Sequence, residues 1–355
     1  MNVPYVGAED FQPLPFVWFM DFLDSPSSMG EKAPSPLVGE GMGEGYFRVN
    51  TIRIVKHLSR ISIYLKFLRP FTLYPPAIGM ISGGISAFGA YPKCEFSAKI
   101  AINIALGSLM AVLLNGASNA LNQIYDLEID KINKPHRYLP SGKITIKEAW
   151  IIAATLFIIS LILAGLVNWQ CFMMAAIATV MTYFYSAPPL RTKRLGIVAN
   201  ITIAIPRGVL LKVCGWSTVK TIYKYEPWLI GLVFGLFLLG ATSTKDFSDI
   251  KGDRANGCMT LPIKYGVRRA AWMIAGFFIF PFLLMPWGVS QGILTGNPYV
   301  LSIAGYCLSL WGLYVAALLV RKPEELTTSE NHIAWRHMYL MMMATQVIFA
   351  VAYLL

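Results

Sequence analysis

The sequence predicts an all-α integral membrane protein, and three observations support this fold class. Of its 355 residues, 55% are apolar and only 14% are charged, whereas soluble domains carry roughly 25% charged residues. The apolar residues occur in runs of about 20, the length that a helix needs to cross a hydrocarbon core about 30 Å thick. Short alternating strands, which are typical of membrane barrels, are not visible. The chain is therefore expected to cross the membrane repeatedly as helices.

The first 70 residues differ from the rest of the chain. Residues 25–45 are rich in Gly, Pro, Ser and Glu, a composition typical of disorder, and we expect residues 1–45 to be a dispensable extension. An apolar patch before this stretch lacks a basic flank and contains Asp21, so a signal peptide is not indicated. Residues 46–70 form a basic, amphipathic segment suited to lying on the membrane surface.

The predicted domain, residues 71–355, contains nine apolar segments of membrane-spanning length. We place them near residues 71–91, 98–120, 148–167, 169–186, 195–214, 226–244, 270–290, 298–320 and 337–355. Several contain Pro or Gly, which a helical bundle tolerates because neighbouring helices satisfy the freed backbone groups. The sequence thus predicts a bundle of nine transmembrane helices.

The distribution of basic residues predicts how the bundle is oriented. Lys and Arg are concentrated in the loops after spans two, four, six and eight, and are sparse in the alternate loops. Cytoplasmic loops carry this excess in membrane proteins, so we expect a cytoplasmic N-terminus and cytoplasmic loops after spans two and six. The net charge of +11 has the same explanation, together with contacts to anionic membrane lipids, and does not indicate nucleic acid.

Acidic residues gather at the end of the second span. Asn122, Asp126 and Asp130 recur every four residues, which places them on one face of a helix. Two carboxylates stacked in this way repel one another unless a cation lies between them. Mg²⁺ prefers oxygen ligands and keeps water and substrate phosphates in its coordination shell. The spacing therefore predicts a magnesium site.

A second acidic group follows the sixth span. Asp246, Asp249 and Asp253 are spaced i, i+3 and i+7, again on one helical face. A single group of this kind is compatible with an ordinary solvated helix end. Two groups at topologically equivalent ends of two spans indicate function, because acids at membrane helices are functional candidates by default.

Basic residues flank both acidic groups, and they suggest an anionic ligand. They are Arg137, Lys143, Arg191, Lys193, Arg194, Lys245 and Arg254. A diphosphate bridged to acids by Mg²⁺ requires cationic donors on its other side. Departure of diphosphate from an allylic carbon leaves a carbocation, which a water-poor cavity protects. Ring faces such as that of Tyr185 are candidates to stabilise the cation, although packing is the commoner role of a single aromatic.

Four sequence segments resemble those of the UbiA superfamily of intramembrane prenyltransferases. The run Asn122–Gly142, NQIYDLEIDKINKPHRYLPSG, resembles the first signature of the superfamily. Asp246–Arg254, DFSDIKGDR, followed by Thr260–Gly266, TLPIKYG, resembles the second. Tyr185–Arg194, YSAPPLRTKR, and the pair Arg69–Pro70 are similar to further family segments.

The resemblance implies a fold with a central cavity, and roles for individual residues. One Mg²⁺ would be held by the first acidic group, Asn122, Asp126 and Asp130. A second Mg²⁺ would be held by the other group, Asp246, Asp249 and Asp253. The five aspartates of the two groups would be the catalytic residues. The diphosphate of a polyprenyl donor would be bound by Arg69, Asn122, Arg137, Tyr185, Lys193, Lys245 and Arg254. An aromatic or lipid-like acceptor would attack the allylic cation. Asp246 could instead orient or deprotonate that acceptor.

The branch of the superfamily is indicated by the short spacing from Asp130 to Arg137. This spacing is similar to that of chlorophyll synthases, homogentisate prenyltransferases and digeranylgeranylglyceryl phosphate synthases. Tyr138 departs from the pattern, because proline is common at its position, and the acceptor is left open.

The alternative functions are those of a terpene cyclase or a sugar-phosphate prenyltransferase of the same superfamily. A transporter is disfavoured because its acids would lie near the bilayer midplane.

Overall fold

The computed structural model describes residues 60–255, 257–328 and 332–355, and every regular element in these ranges is helical. The predicted extension and residues 46–59 of the predicted interfacial segment lie outside the described residues. Residues 60–67 are helical. Phe67 is fully buried and packs in a cluster that includes Ala120, Ile124 and Leu139.

Nine long helical segments occupy the nine predicted positions within the described part of the chain. They are α1 (Tyr74–Gly89), α2 (Ala98–Tyr125), α3 (Ile146–Val167), α4 (Trp169–Ser186), α5 (Ile197–Ser217), α6 (Tyr225–Ser243), α7 (Val267–Ser290), α8 (Pro298–Arg321) and α9 (Ile333–Leu354). Seven of them are long and apolar enough to cross a membrane; α1 and α4 are not among these seven. The chain is therefore an all-helical integral membrane protein, and the count of nine crossings stays a prediction.

Short helices lie in the loops that connect the long ones. They are Leu127–Asn133, Lys245–Ser248, Ile250–Ala255, Leu261–Tyr265 and Glu325–Thr328, with 3₁₀ turns at Pro70–Leu73 and Thr192–Arg194. All but Glu325–Thr328 contain or border residues that the sequence analysis singled out, so the irregular parts of the fold coincide with the predicted site.

Polar side chains fix where several long helices begin. Ser97 accepts a hydrogen bond from the backbone of Ile100 at the start of α2. At the start of α3, Thr145 and Glu148 form a reciprocal capping box, which satisfies two of the backbone N–H groups that a helix end leaves free. α2 continues to Tyr125, five residues beyond its predicted end. Its last turns therefore carry the polar residues Asn119 and Gln123 into the bundle.

Glycines bring α5 close to both of its neighbours. A β-carbon on Gly83 of α1 would lie 3.1 Å from the Cα of Gly215 in α5. On the other side of α5, a β-carbon on Gly208 would lie 2.5 Å from the Cα of Gly235 in α6. Gly208 belongs to a π-helical turn, Ile205–Leu210, a feature that is frequent at functional sites. α5 is thus packed tightly between α1 and α6.

Candidate active site

The loops after α2, α4 and α6 meet at one end of the bundle. Lys193, in the loop after α4, contacts Asp126 at the end of α2. In the same loop, the carbonyl of Arg194 accepts a hydrogen bond of 3.1 Å from the backbone of Met259, which follows the second acidic group. These contacts bring both predicted acidic groups to one site.

The first acidic group sits where α2 breaks. α2 ends at Tyr125, and Asp126 has φ −96° and ψ 8°, between α2 and the short helix Leu127–Asn133. The backbone of Asp126 still donates to Asn122 at 2.9 Å, and that of Asp130 to Asp126 at 2.7 Å. The predicted spacing of four residues is therefore preserved, although the continuous helix that it suggested is interrupted.

The second acidic group repeats this backbone geometry. Asp249 has φ −98° and ψ 6° and separates the short helices Lys245–Ser248 and Ile250–Ala255. The backbone of Asp253 donates to Asp249 at 3.0 Å, as Asp130 does to Asp126. The single helical face predicted from the spacing is therefore divided between two short helices. This region of backbone conformation is sparsely populated, and active-site residues often adopt it.

The carboxylates of the first group are buried and paired with cations. Asp126 and Asp130 are 8% and 5% exposed. One guanidinium nitrogen of Arg137 lies 2.6 and 2.7 Å from the two carboxylate oxygens of Asp130. Lys193 donates to Oδ1 of Asp126, and the amide of Asn122 donates to its Oδ2 at 2.9 Å. Buried charges of this kind require such partners.

The second group is tied to the first by a cation from the first loop. Nζ of Lys134 lies 3.3 Å from Oδ1 of Asp249. Asn200 in α5 donates to Asp246 at 3.4 Å. Burial raises the pKa of Asp253 to about 6, and the charge of Lys193 opposes this rise. An isolated buried carboxylate favours its protonated form, so this group is one that a bound cation would stabilise.

Arg69 is held in a strained turn beside the first group. Its φ is 57°, a left-handed conformation that costs a residue with a side chain roughly 1–2 kcal/mol. Polar groups of α2 fix the turn: Asn119 donates to the carbonyl of Leu68 at 2.9 Å, and Gln123 to that of Phe67 at 2.9 Å. One terminal nitrogen of Arg69 is buried without a hydrogen-bond partner among the described residues. Burial lowers the pKa of Arg69 to about 10, and the nearby charge of Arg137 adds to this effect.

The remaining predicted residues fall into two environments. Tyr185 is half-buried, whereas Lys245 is exposed. Tyr185 lies within electrostatic range of Asp126 and of Asp246. Arg254 is exposed and forms no ion pair with the described part of the chain.

Comparison with protein families gives a match to the model of the UbiA prenyltransferase family over residues 95–341. Among curated proteins, digeranylgeranylglyceryl phosphate synthase of Methanococcus aeolicus is 34% identical over 273 residues, which is 77% of this chain and 92% of that protein. The chain belongs to the UbiA prenyltransferase family. It is a prenyltransferase, as the resemblance of its motifs predicted.

Solved structures share the fold of this UbiA family member. A structure of digeranylgeranylglyceryl phosphate synthase in membranes covers 83% of this chain and 99% of its own, with 25% identity and a TM-score of 0.64. A UbiA homologue from Archaeoglobus fulgidus bound to GPP and Mg²⁺ covers 82% of this chain and 100% of its own, with 18% identity and a TM-score of 0.62. The second comparison shows likeness of fold.

The acidic groups of this UbiA protein fit Mg²⁺ bound together with a substrate. Among the described residues, no three His, Cys, Asp or Glu side chains form a metal cluster. Mg²⁺ is commonly held by one or two carboxylates, with water and phosphate oxygens completing its octahedron. Asp126 and Asp130, or Asp249 and Asp253, supply that number, and the unpartnered nitrogen of Arg69 marks a place for the anion.

Several residues that organise the UbiA site were not among the predicted site residues. Lys134 pairs with Asp249, and Arg191 donates to the carbonyl of Tyr125 at 2.9 Å, at the C-terminus of α2, where a cation is favourable. Asn119 and Gln123 hold the turn of Arg69. The signals were present: the two cations and Gln123 lie inside quoted motifs, and Asn119 lies inside an apolar span.

Proposed function

We propose that this prenyltransferase transfers an isoprenyl group from a polyprenyl diphosphate to the hydroxyl of a lipid-like acceptor, a prenylated glycerol phosphate. The similarity to digeranylgeranylglyceryl phosphate synthases supports this acceptor class. The single observation that carries the chemistry is the pairing of buried Asp126 and Asp130 with Lys193 and Arg137. Acids and bases arranged in this way can bind a metal and a diphosphate side by side.

The residues of the site have separate roles in this proposal. Lys193, Arg137 and Arg69 bind the diphosphate, because the first two lie beside the acidic groups and one nitrogen of Arg69 is buried without a partner among the described residues. Asp126 and Asp130 hold one Mg²⁺, and Asp249 and Asp253 a second. When bound, Mg²⁺ neutralises charge on the leaving diphosphate.

The reaction breaks the bond between the allylic carbon and the diphosphate oxygen, and that oxygen keeps the electron pair. Tyr185 lines the cavity, and its ring face stabilises the allylic cation. The hydroxyl oxygen of the acceptor then bonds to the allylic carbon, and its proton is lost. Asp246, between Asn200 and the cavity, is placed to orient the acceptor or to accept that proton.

The membrane arrangement is part of the proposal. All nine helical segments cross the bilayer, with the N-terminus and the loops after α2 and α6 on the cytoplasmic side. Basic residues in these loops support this orientation. The isoprenyl chain lies in a central cavity between the helices, with its diphosphate at the cytoplasmic end, and the likeness of fold to a UbiA homologue bound to GPP and Mg²⁺ supports such a cavity.

The test is product formation by membranes that contain the protein. Geranylgeranyl diphosphate is offered with geranylgeranylglyceryl phosphate, homogentisate, chlorophyllide or 4-hydroxybenzoate, each with Mg²⁺ and with EDTA. We expect an EDTA-sensitive product with the glyceryl phosphate acceptor alone. A prenylated aromatic product would contradict the acceptor class but keep the chemistry. Diphosphate release without a prenylated acceptor would indicate cyclisation or hydrolysis, and turnover in EDTA would overturn the role of Mg²⁺.

A further inference from the structure

Arg207 is a charged residue inside a membrane-spanning helix. It lies in α5, one of the seven helices long and apolar enough to cross a membrane, within the π-helical turn Ile205–Leu210. Its neighbour Gly208 is packed against Gly235 of α6, so the backbone at this position is tightly fixed. An arginine within a membrane span is costly and is a functional candidate by default.

The side chain of Arg207 has no partner in the described part of the chain. It is exposed in the structure, and it follows Asn200, which contacts Asp246, by two helical turns along α5. Within the described residues it forms no ion pair and its guanidinium makes no hydrogen bond. The guanidinium is therefore free to bind a ligand.

Lys212, on the same helix, shows how a buried cation is satisfied when it has a structural role. Its ammonium donates to the carbonyl of Gly79 at 3.2 Å and to Oγ of Ser82. It also lies 4.1 Å from the centroid of the Phe234 ring, within the range of a cation–π contact. Arg207 has no comparable set of partners.

Two further cations without carboxylate partners lie near Arg207. One nitrogen of Arg69 is buried and unpartnered, and Lys245 is exposed and forms no ion pair in the described part of the chain. The charges of Arg69 and Arg207 both act on Lys245, as does the opposite charge of Asp249, and the charge of Arg207 acts on Arg69. Neighbouring like charges repel one another, so an anion between these cations would be stabilised.

These cations are distinct from those that pair with the acidic groups. Lys193, Arg137 and Lys134 are each bound to an aspartate, whereas Arg207 and Lys245 are not. Both Asp126 and Arg207 are within electrostatic range of Tyr185. The cations near the site therefore form two groups: those that pair with the acidic residues, and those without a carboxylate partner.

We infer that Arg207 and Lys245, with Arg69 at the boundary, bind the phosphate monoester of the acceptor. The inference rests on the proposed function, and it moves Lys245 from the diphosphate to the acceptor. Guanidinium and ammonium donors provide charge-assisted hydrogen bonds to phosphate oxygens. Anchoring the phosphate there leaves the acceptor hydroxyl free to reach the allylic carbon beside Tyr185.

The kinetic test uses the full chain with Arg207→Gln, Arg207→Lys and, as a matched control, Arg268→Gln, which removes an exposed cation at the start of α7. For Arg207→Gln we expect the KM of the phosphorylated acceptor to rise about tenfold or more, as for the loss of a charge-assisted hydrogen bond. The KM of the donor should not change, and Arg207→Lys should lie between. A rise confined to the donor KM would overturn the inference, because the diphosphate would then be the ligand.

A second measurement does not depend on turnover. Inorganic phosphate and glycerol 1-phosphate are titrated into the purified protein in EDTA, and the thermal unfolding temperature is followed. We expect both phosphates to raise the unfolding temperature of the wild type and of Arg268→Gln. They should not raise that of Arg207→Gln, which without phosphate should unfold at the wild-type temperature. Arg207→Lys, which keeps the charge, should retain part of the stabilisation. Equal stabilisation of Arg207→Gln would overturn the site even if the transferase activity is found. Loss of stabilisation would uphold the site even if the glyceryl phosphate acceptor is not turned over.

Discussion

At the residue scale, buried aspartates of the candidate site form ion pairs with basic side chains of the same chain. Asp126 and Asp130 would be strongly disfavoured as buried ions if Lys193 and Arg137 did not pair with them. The pairs cross between loops, because Lys193 follows α4 whereas Asp126 follows α2. Each acid therefore links two parts of the site, and in the proposed function it also holds the metal.

Replacing Asp130 by Asn should lower kcat/KM by roughly a hundredfold or more, because a charged group at the reacting centre is lost. The contact of one Arg137 nitrogen with both carboxylate oxygens would also be weakened. Turnover of the donor by membranes with equal amounts of folded protein is the measurement. Glu128→Gln is the matched control, since Glu128 is exposed and pairs with Lys131 alone among the described residues. Near wild-type activity of Asp130→Asn would contradict the assigned role.

The structure brings the predicted aspartates together at one end of the bundle, and their catalytic roles stay predictions. The aspartates were found because their spacing places charges on one face, which helix stability does not favour. Arg207 was not found, although a lone Arg inside an apolar span is a signal in itself. Its surroundings are determined by how α5 packs against α6, and the local sequence does not show that packing.

At the element scale, α2 clamps the turn that carries Arg69. Asn119 donates to the carbonyl of Leu68 at 2.9 Å and to the hydroxyl of Thr72 at 2.7 Å. These bonds satisfy backbone and side-chain oxygens near the end of the preceding helix, and they hold the left-handed conformation of Arg69. The clamp therefore positions a cation without touching the substrate.

Asn119→Ala should raise the KM of the donor several-fold while kcat changes little, because each lost hydrogen bond costs about 1 kcal/mol and frees Arg69. The measurement is a donor titration at saturating acceptor. Asn103→Ala is the control, since Asn103 makes a similar bond, to the carbonyl of Thr218 at 3.3 Å, from the opposite end of α2. An equal change in both variants would show a general effect on folding.

Gly196 fixes the loop that carries Lys193. Its φ is 57°, and a β-carbon there would lie 2.8 Å from the carbonyl oxygen of Met259. Its ψ is −118°, which lies outside the left-handed helical region, in a part of backbone space that favours glycine, so Gly196→Ala should lower the unfolding temperature clearly. Gly142→Ala isolates the backbone cost, because Gly142 has φ 73° with nothing within 4 Å of its β-carbon. Equal losses in the two variants would show that the contact with Met259 has no effect.

The positions of the helices were predictable, but their interruptions were not. The hydropathy of the sequence predicts a helix at each of the nine positions, because the thickness of the bilayer determines how long an apolar segment must be to cross it. The breaks at Asp126 and Asp249 leave no trace in composition. They depend on contacts between loops, such as that of Lys134 with Asp249, that only the assembled bundle provides.

At the scale of the whole molecule, all the loops of the site lie at one end of the bundle, which fixes a testable orientation. Cysteine introduced for Lys131 should be protected from an impermeant thiol reagent in intact cells, whereas cysteine for Tyr299, which is 78% exposed, should react. The background would carry Ala at Cys94 and Cys307. The reverse pattern would place the active site on the outer face and refute the orientation.

Removal of residues 1–45 should leave kcat and both KM values unchanged. The described residues that pair with the acidic groups all lie between residues 122 and 249, and the composition of the extension is that of a disordered segment. The truncated and full chains are compared in membranes at equal amounts of protein. Loss of turnover in the truncated chain would give the extension a function.

The pairing of Lys193 and Arg137 with aspartates also makes the two halves of the donor complex depend on one another. A diphosphate that draws these cations towards itself leaves Asp126 and Asp130 without counterions, and so raises their affinity for a divalent ion. By reciprocity, a divalent ion on the aspartates releases both basic side chains to the diphosphate by the same factor. Either ligand bound alone would therefore have a lower affinity than it has when the other is also bound.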